Sequence, residues 1–447
     1  MTAGARRGLA PGLLVGAAVV AARVAEVGGK LGSSTLIGAP TLPGEVQRWL
    51  GWQLWDNIRA GRSPLDASVF PSVSGSLLDV VGNPGVAALL APFHALGSVN
   101  FAHSLGMFAL LFTACLAGGV YGGVRGVPWI GALAAGAAWW QAGLAGGLAA
   151  QAWLAPGLAA ATAYVLEKRG WAAAFAALGA VTAPLATAAV LAGAAAWPLA
   201  GLAALGCLVA PFGEANALTP ADLLWVAGGA HRAVPLAAWF ALAFLWGERG
   251  RERAVSVGVG LCLLAAVSPM PVAGFRISEA MWGGWAGGSS VALAMLLSAA
   301  LGPAARRLTQ HGRIAVALLC FADSLGPAFL GGGAWWGAPA PAPAALVAAG
   351  GEPRSRVVTV LPESANPAAG VGWIPVHRQL ASRPPELEIG AGGLDTRPQE
   401  VATRLRSATT PTVLVVANTD PSGVSAFASA LGAPDALGPD VAVWTWP

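Results

Sequence analysis

Residues 98–122 read SVNFAHSLGMFALLFTACLAGGVYG, a run without one Asp, Glu, Lys or Arg. An α-helix of about 20 mostly apolar residues is long enough to cross the hydrocarbon of a bilayer. This run therefore reads as a membrane span. Similar runs lie at 9–25, 127–146, 148–165, 171–184, 185–197, 198–212, 233–247, 254–271, 285–302 and 313–332. Over the whole 447-residue chain, 56% of residues are hydrophobic and 10% are charged, and the mean hydropathy is +0.64. A soluble domain keeps roughly a quarter of its residues charged, so most of this chain lacks the means to cover a water-facing surface. The 61 glycines and 19 tryptophans fit the same solvent. Small residues let membrane helices approach closely, and Trp favours the headgroup boundary.

The net charge of +4 does not point to nucleic acid, and no nucleic-acid partner is expected. The basic residues sit in short connections, at Arg125, at Glu167-Lys168-Arg169, at 248–253 and at 306–313. Basic loops stay in the cytoplasm. All four lie inside if an odd number of passes, three for preference, separates Arg169 from the run at 233–247. The expectation is a mostly α, polytopic chain of about eleven spans, with its N-terminus cytoplasmic and its C-terminus outside. The stretch 171–212 leaves two arrangements open. It holds either two full spans, or two short segments broken near Pro184 and Pro198 plus one span. The first run follows Arg6 and Arg7, and a cleavable signal peptide is the competing reading. Arg23 and Glu26 interrupt the tail a signal peptide would need, which favours an uncleaved first helix. Cys115, Cys207, Cys262 and Cys320 all fall in apolar runs at no metal-ligand spacing, and read as small buried hydrophobes.

After residue 333 the composition changes. Residues 1–333 form the polytopic part, with a first outer loop at 27–85, and 334–351 is a Pro/Ala linker. Residues 352–447 carry ordinary charge and short β-rich runs, VVTVL (357–361), TVLVVA (412–417) and VAVWTW (441–446). Helical patterns lie near 400–407 and 422–431. This alternation predicts a small α/β domain, placed outside the cytoplasm by the parity of the spans.

The chemistry concentrates in the first outer loop. Residues 43–59, PGEVQRWLGWQLWDNIR, read as a helix opened by Pro43 and closed by Gly61. On that helix Glu45, Trp49, Trp52 and Asp56 share a face, and Arg48, Trp52, Trp55, Arg59 and Arg62 form an adjoining stripe. Arg grips phosphate through two parallel hydrogen bonds, and a carboxylate beside it can act as a base or hold a divalent cation. The plainer alternative is an interfacial helix anchored by Trp and Arg. A membrane-lipid contact is expected either way.

The order of these parts resembles the GT-C class of membrane glycosyltransferases. It is most similar to a bacterial branch whose first loop carries an acid, a His, a Trp-rich helix, G-x-x-P and an aromatic-Pro-x-x-Gly element. The matching residues are Glu45, Arg48, Trp49-Trp52-Trp55, Gly61 to Pro64, and Phe70-Pro71 with Gly75. ADLLWV (221–226) followed by His231, and the tail segments VVTVLPE, SRPPE and TVLVVANTD, extend the likeness. It implies transfer of a sugar from a polyprenyl-phosphate donor to a glycan, lipid or protein acceptor hydroxyl, at the outer face of a bacterial inner membrane. Glu45 is then the expected catalytic base, with Asp56 next. Arg48, Arg59, Arg62, His231, Arg232 and Arg276 are the expected donor-phosphate contacts. No cofactor is firmly implied, and a divalent cation stays open.

The chain departs from the pattern in three places. Glu45 stands where Asp is usual, Arg48 replaces His, and the second outer loop (QAGLAGGLAAQAW, 141–153) has only Gln141 and Gln151 polar. The alternative is a non-catalytic GT-C-like protein of envelope assembly that binds lipid-linked glycan. A transporter fits least, since the runs hold almost no charge apart from Asp323. His94 and His103, flanking the entry to the run at 98–122, read as polar contacts near the interface rather than ligands.

Overall fold

The computed structural model describes residues 2–27, 36–37, 42–64, 84–97, 99–145, 153–208, 271–272, 275–276, 308–329, 336–337, 356–361, 386–389, 398–406, 412–417, 421–438 and 441–446. These residues are mostly helical and divide into two units. One comprises 1–39 and 81–337; the other comprises 40–80 and 338–447.

In the first unit, helix α1 (Ala3–Val27) packs against α4 (Val99–Arg125), which packs in turn against α5 (Pro128–Ala145). Glycine fixes both contacts. Along α1, Gly4, Gly8 and Gly12 recur every four residues and so share a stripe. A side chain on Gly8 would collide with the Gly119 carbonyl and on Gly12 with Leu116, and one on Gly4 would crowd Gly123, so the helices run antiparallel with backbones in contact. The neighbouring face of α4 does the same for α5, where Gly118 and Gly122 meet Gly131. Association in lipid depends on such close packing, because apolar burial gives no gain there. Cys115 is buried among these helices, and Cys320 is buried on α10 (Gln310–Phe329), which packs on α5.

Among the described residues two helices, α1 and α4, are long and apolar enough to cross a membrane. The predicted run 148–165 appears as α6 (Ala155–Val165). The ambiguous stretch is broken near both prolines, into α7 (Arg169–Thr182), α8 (Pro184–Gly193) and α9 (Trp197–Ala204), with interruptions at Ala183 and at 194–196, and none of the three is the full span that the broken alternative also held. Proline removes a backbone donor and crowds the preceding turn. At 14, 10 and 8 residues and 1.5 Å per residue, each is shorter than the roughly 30 Å of hydrocarbon. The runs at 233–247 and 285–302, and all of 254–271 except Pro271, lie outside the described residues. Strand β1 (Leu36–Ile37) pairs antiparallel with β4 (Trp336–Gly337), while β2 (Pro271–Val272) pairs with β3 (Phe275–Arg276). This unit also contains α3 (Pro84–Leu90), followed by a 3-10 turn at Ala91–Ala95.

The second unit contains α2 (Leu42–Arg59) and a five-stranded sheet. Its strands are β5 (Arg356–Leu361), β6 (Glu386–Ile389), β7 (Thr412–Ala417), β8 (Ala436–Leu437) and β9 (Val441–Trp446), in the order β6-β5-β7-β9-β8. β6, β5 and β7 are parallel, and β9 is antiparallel to both its neighbours. Helices α11 (Pro398–Arg406) and α12 (Pro421–Leu431) supply Val401 and Phe427 to a core with Leu414, Val416, Ala442 and Trp444. The two pairs of strand residues are each two apart and therefore on one face. Trp444 donates its indole N–H to the Gly432 carbonyl at 2.9 Å, and Arg406 donates to the Ala430 carbonyl near the end of α12 at 2.8 Å. The α/β reading of the tail matches this sheet. The second unit also takes in 40–80, which the sequence assigns to the outer loop.

Candidate functional site

Helix α2 covers the predicted 43–59 and ends in a specific turn. The Gly61 N–H reaches the Ile58 carbonyl at 3.1 Å, and the Arg62 N–H reaches the Asn57 carbonyl at 2.9 Å. That pair of bonds is a Schellman closure, which needs a left-handed residue just past the helix. Gly61 supplies it with φ +67. The reversal returns Arg62 to the helix, where its guanidinium donates to Asp56 Oδ2 at 2.7 Å. Arg59 lies 3.8 Å from the other oxygen, Oδ1. Asn57 donates from Nδ2 to the Pro64 carbonyl at 3.2 Å and accepts from Gln53 Nε2 at 2.7 Å.

This polar group is buried, with Asp56 only 3% exposed and Gln53 and Asn57 more deeply so. A carboxylate withdrawn from water is costly unless paired and hydrogen-bonded, and the two arginines meet that need. The Arg59 side chain remains 72% exposed and that of Arg62 24%. Trp52 and Trp55 are half-buried. Arg48 is 4% exposed, three residues after Glu45 on the same helix.

The expected residues thus fall into two groups. Asp56, Arg59 and Arg62 come together as an ion clamp at the C-terminal end of α2. Glu45 and Arg48 stand at its N-terminal end, one turn apart. With 1.5 Å of rise per residue, Glu45 precedes Asp56 by about 16 Å along the axis. Asp56 has a guanidinium at each oxygen, an arrangement suited to holding arginines rather than a divalent cation. Among the described residues no three His, Cys, Asp or Glu side chains converge on a metal-sized space. His94 and His103 are buried in the first unit. The backbone of Arg276 lies in β3. His231, Arg232 and the second outer loop from 146 to 152 lie outside the described residues, as do the side chains of Glu45, Trp49, Arg276 and Asp323. The Gln53–Asn57 pair escaped the sequence reading, although i,i+4 amides on one helix face are its recognisable sign.

Comparisons with protein-family models, with curated proteins and with solved structures give no match to this chain.

Proposed function

We propose that this chain is a multi-pass protein of a bacterial inner membrane, GT-C-like, that moves a sugar from a polyprenyl-phosphate donor to an acceptor hydroxyl at the outer face. Its N-terminus is cytoplasmic, it makes about eleven passes, and its C-terminal α/β domain is extracytoplasmic. Helices α1 and α4, joined through glycine, support the membrane placement. The reading of the site rests on one observation. Arg48 is buried one turn after Glu45, on a helix whose other end is locked by the Asp56 clamp.

In this account Glu45 takes the proton of the acceptor hydroxyl as that oxygen attacks the anomeric carbon. The bond from that carbon to the donor phosphate breaks, and Arg48 receives the phosphate's charge. A fork of N–H donors suits a phosphate that gains charge as it leaves. Asp56 braces Arg62 and Arg59, leaving Arg59 in reach of a second anionic group such as a lipid headgroup.

A second reading, a non-catalytic lipid-linked-glycan-binding protein of envelope assembly, draws on the same clamp. With Asp56 engaged by two arginines, Glu45 is the remaining carboxylate on α2. Purified protein and Glu45→Gln, each offered a panel of polyprenyl-phosphate sugars with an envelope acceptor extract, separate the two. Donor binding by both with turnover only by wild type supports the transferase. Binding without turnover by wild type supports the assembly protein. No binding by either sinks both.

A further inference from the structure

A cavity of about 440 Å³ lies in the first unit between α4, α6 and α7. Its walls are almost wholly apolar, formed by residues such as Leu116, Val120, Ala159, Ala163 and Phe175. At one end Trp153 closes α6 against α4 by donating its indole N–H to Thr113 Oγ1 at 3.0 Å. Lys168 is among its lining residues, and it precedes α7 without making a side-chain cap to that helix. Tyr164 and Trp171 stand nearby, 36% and 66% exposed, with Trp171 stacked on Phe175 at 6.0 Å. Aromatic rings with a lysine mark the headgroup level of a bilayer. The space is of the size and lining that hold one elongated apolar ligand.

Direction is set by the chain. From Thr113 to Val120 and from Ala155 to Leu166, α4 and α6 pass along the cavity toward the basic connections at Arg125 and Lys168-Arg169. By charge those connections are cytoplasmic.

We propose that this cavity holds one acyl chain of an anionic phospholipid from the cytoplasmic leaflet, with its phosphate on Lys168. The site is separate from Glu45 and Arg48, and it rests on the membrane placement alone. An apolar groove would take any hydrocarbon chain; the lysine makes it prefer a negative headgroup. One lysine beside an anionic lipid surface is worth about a fivefold preference.

The test is native mass spectrometry of the full chain in detergent, offered equimolar phosphatidylglycerol and phosphatidylcholine. Wild type is expected to retain the anionic lipid about fivefold over the zwitterionic one. Lys168→Gln, a change at an exposed side chain, brings the ratio to near one. Ala159→Trp lowers retention of both lipids. Should that variant fail to fold, Lys168→Glu serves in its place and inverts the preference. Equal retention of the two lipids by wild type, or an unchanged ratio in Lys168→Gln, overturns the proposal. A chain that stays soluble without detergent overturns the membrane placement instead, which keeps the two failures apart.

Discussion

Arg62 reaches back across the turn that ends α2 and donates to Asp56 Oδ2 at 2.7 Å. The bond joins a carboxylate in the last turn of the helix to a guanidinium three residues beyond the last helical position. It exists because Gly61 turns the chain through a left-handed conformation.

Asp56→Asn is expected to release Arg62 and Arg59 and to destabilise the first loop by about 1.5–3 kcal/mol, the range for a hydrogen bond to a charged group. Limited proteolysis of the detergent-solubilised protein reads this directly, since the freed turn at 60–64 is cut faster. Arg62→Lys keeps the charge without the fork and is expected to fall between wild type and Asp56→Asn.

Gly61→Ala leaves open space around the new methyl, so its effect is on the backbone alone. The left-handed conformation costs a Cβ-bearing residue about 1–2 kcal/mol. Gly61→Asn is expected to recover part of that loss, because Asn tolerates this region. Equal thermal unfolding of the three proteins would remove Gly61 from the account.

Two glycines on one helix are expected to respond differently to the same change. A methyl on Gly8 meets the Gly119 backbone, while one on Gly16 meets the Phe112 ring. A ring can shift and a neighbouring backbone cannot. Gly8→Ala should therefore cost about 1–3 kcal/mol and Gly16→Ala markedly less, measured by thermal unfolding in one detergent.

Asp435 accepts from the Thr445 N–H at 2.6 Å and from the Thr445 hydroxyl at 2.7 Å. These bonds, the hydroxyl's first, hold its carboxyl below the usual carboxylate value, which is about 3.9. Its contribution is therefore complete above that ordinary value and is lost as pH falls through the lowered one. Hydrogen-exchange protection at the Thr445 amide, corrected for intrinsic rate, should drop across that acid window. In Asp435→Asn it should be lower throughout and should not change across the window.

Much of this architecture is legible in the residues. Gly61 past an amphipathic run announces the end of α2, and the apolar run at 98–122 announces α4. Pro184 and Pro198 mark the breaks, but hydropathy alone could not choose between long spans and short helices. The tail's three β-rich runs became β5, β7 and β9. β6 alternates over only four residues, two of them glutamates, which strands disfavour, and β8 has two residues, so both are too short to be seen. Strand order depends on pairing between distant segments, which no local pattern encodes. The site was half legible. Helical spacing put Arg48 beside Glu45, but it did not reveal that Arg62, beyond the helix, would close on Asp56.

The most direct test of the account compares donor binding by Arg48→Gln and Arg59→Gln, using one polyprenyl-phosphate sugar that wild type binds and checking each variant's fold by its melting temperature. The account places the donor phosphate at Arg48, so Arg48→Gln should weaken binding at least about tenfold, as loss of a charge-assisted fork does, and Arg59→Gln only slightly. The reverse result, with binding lost in Arg59→Gln and kept in Arg48→Gln, would contradict it by putting the donor at the Asp56 clamp.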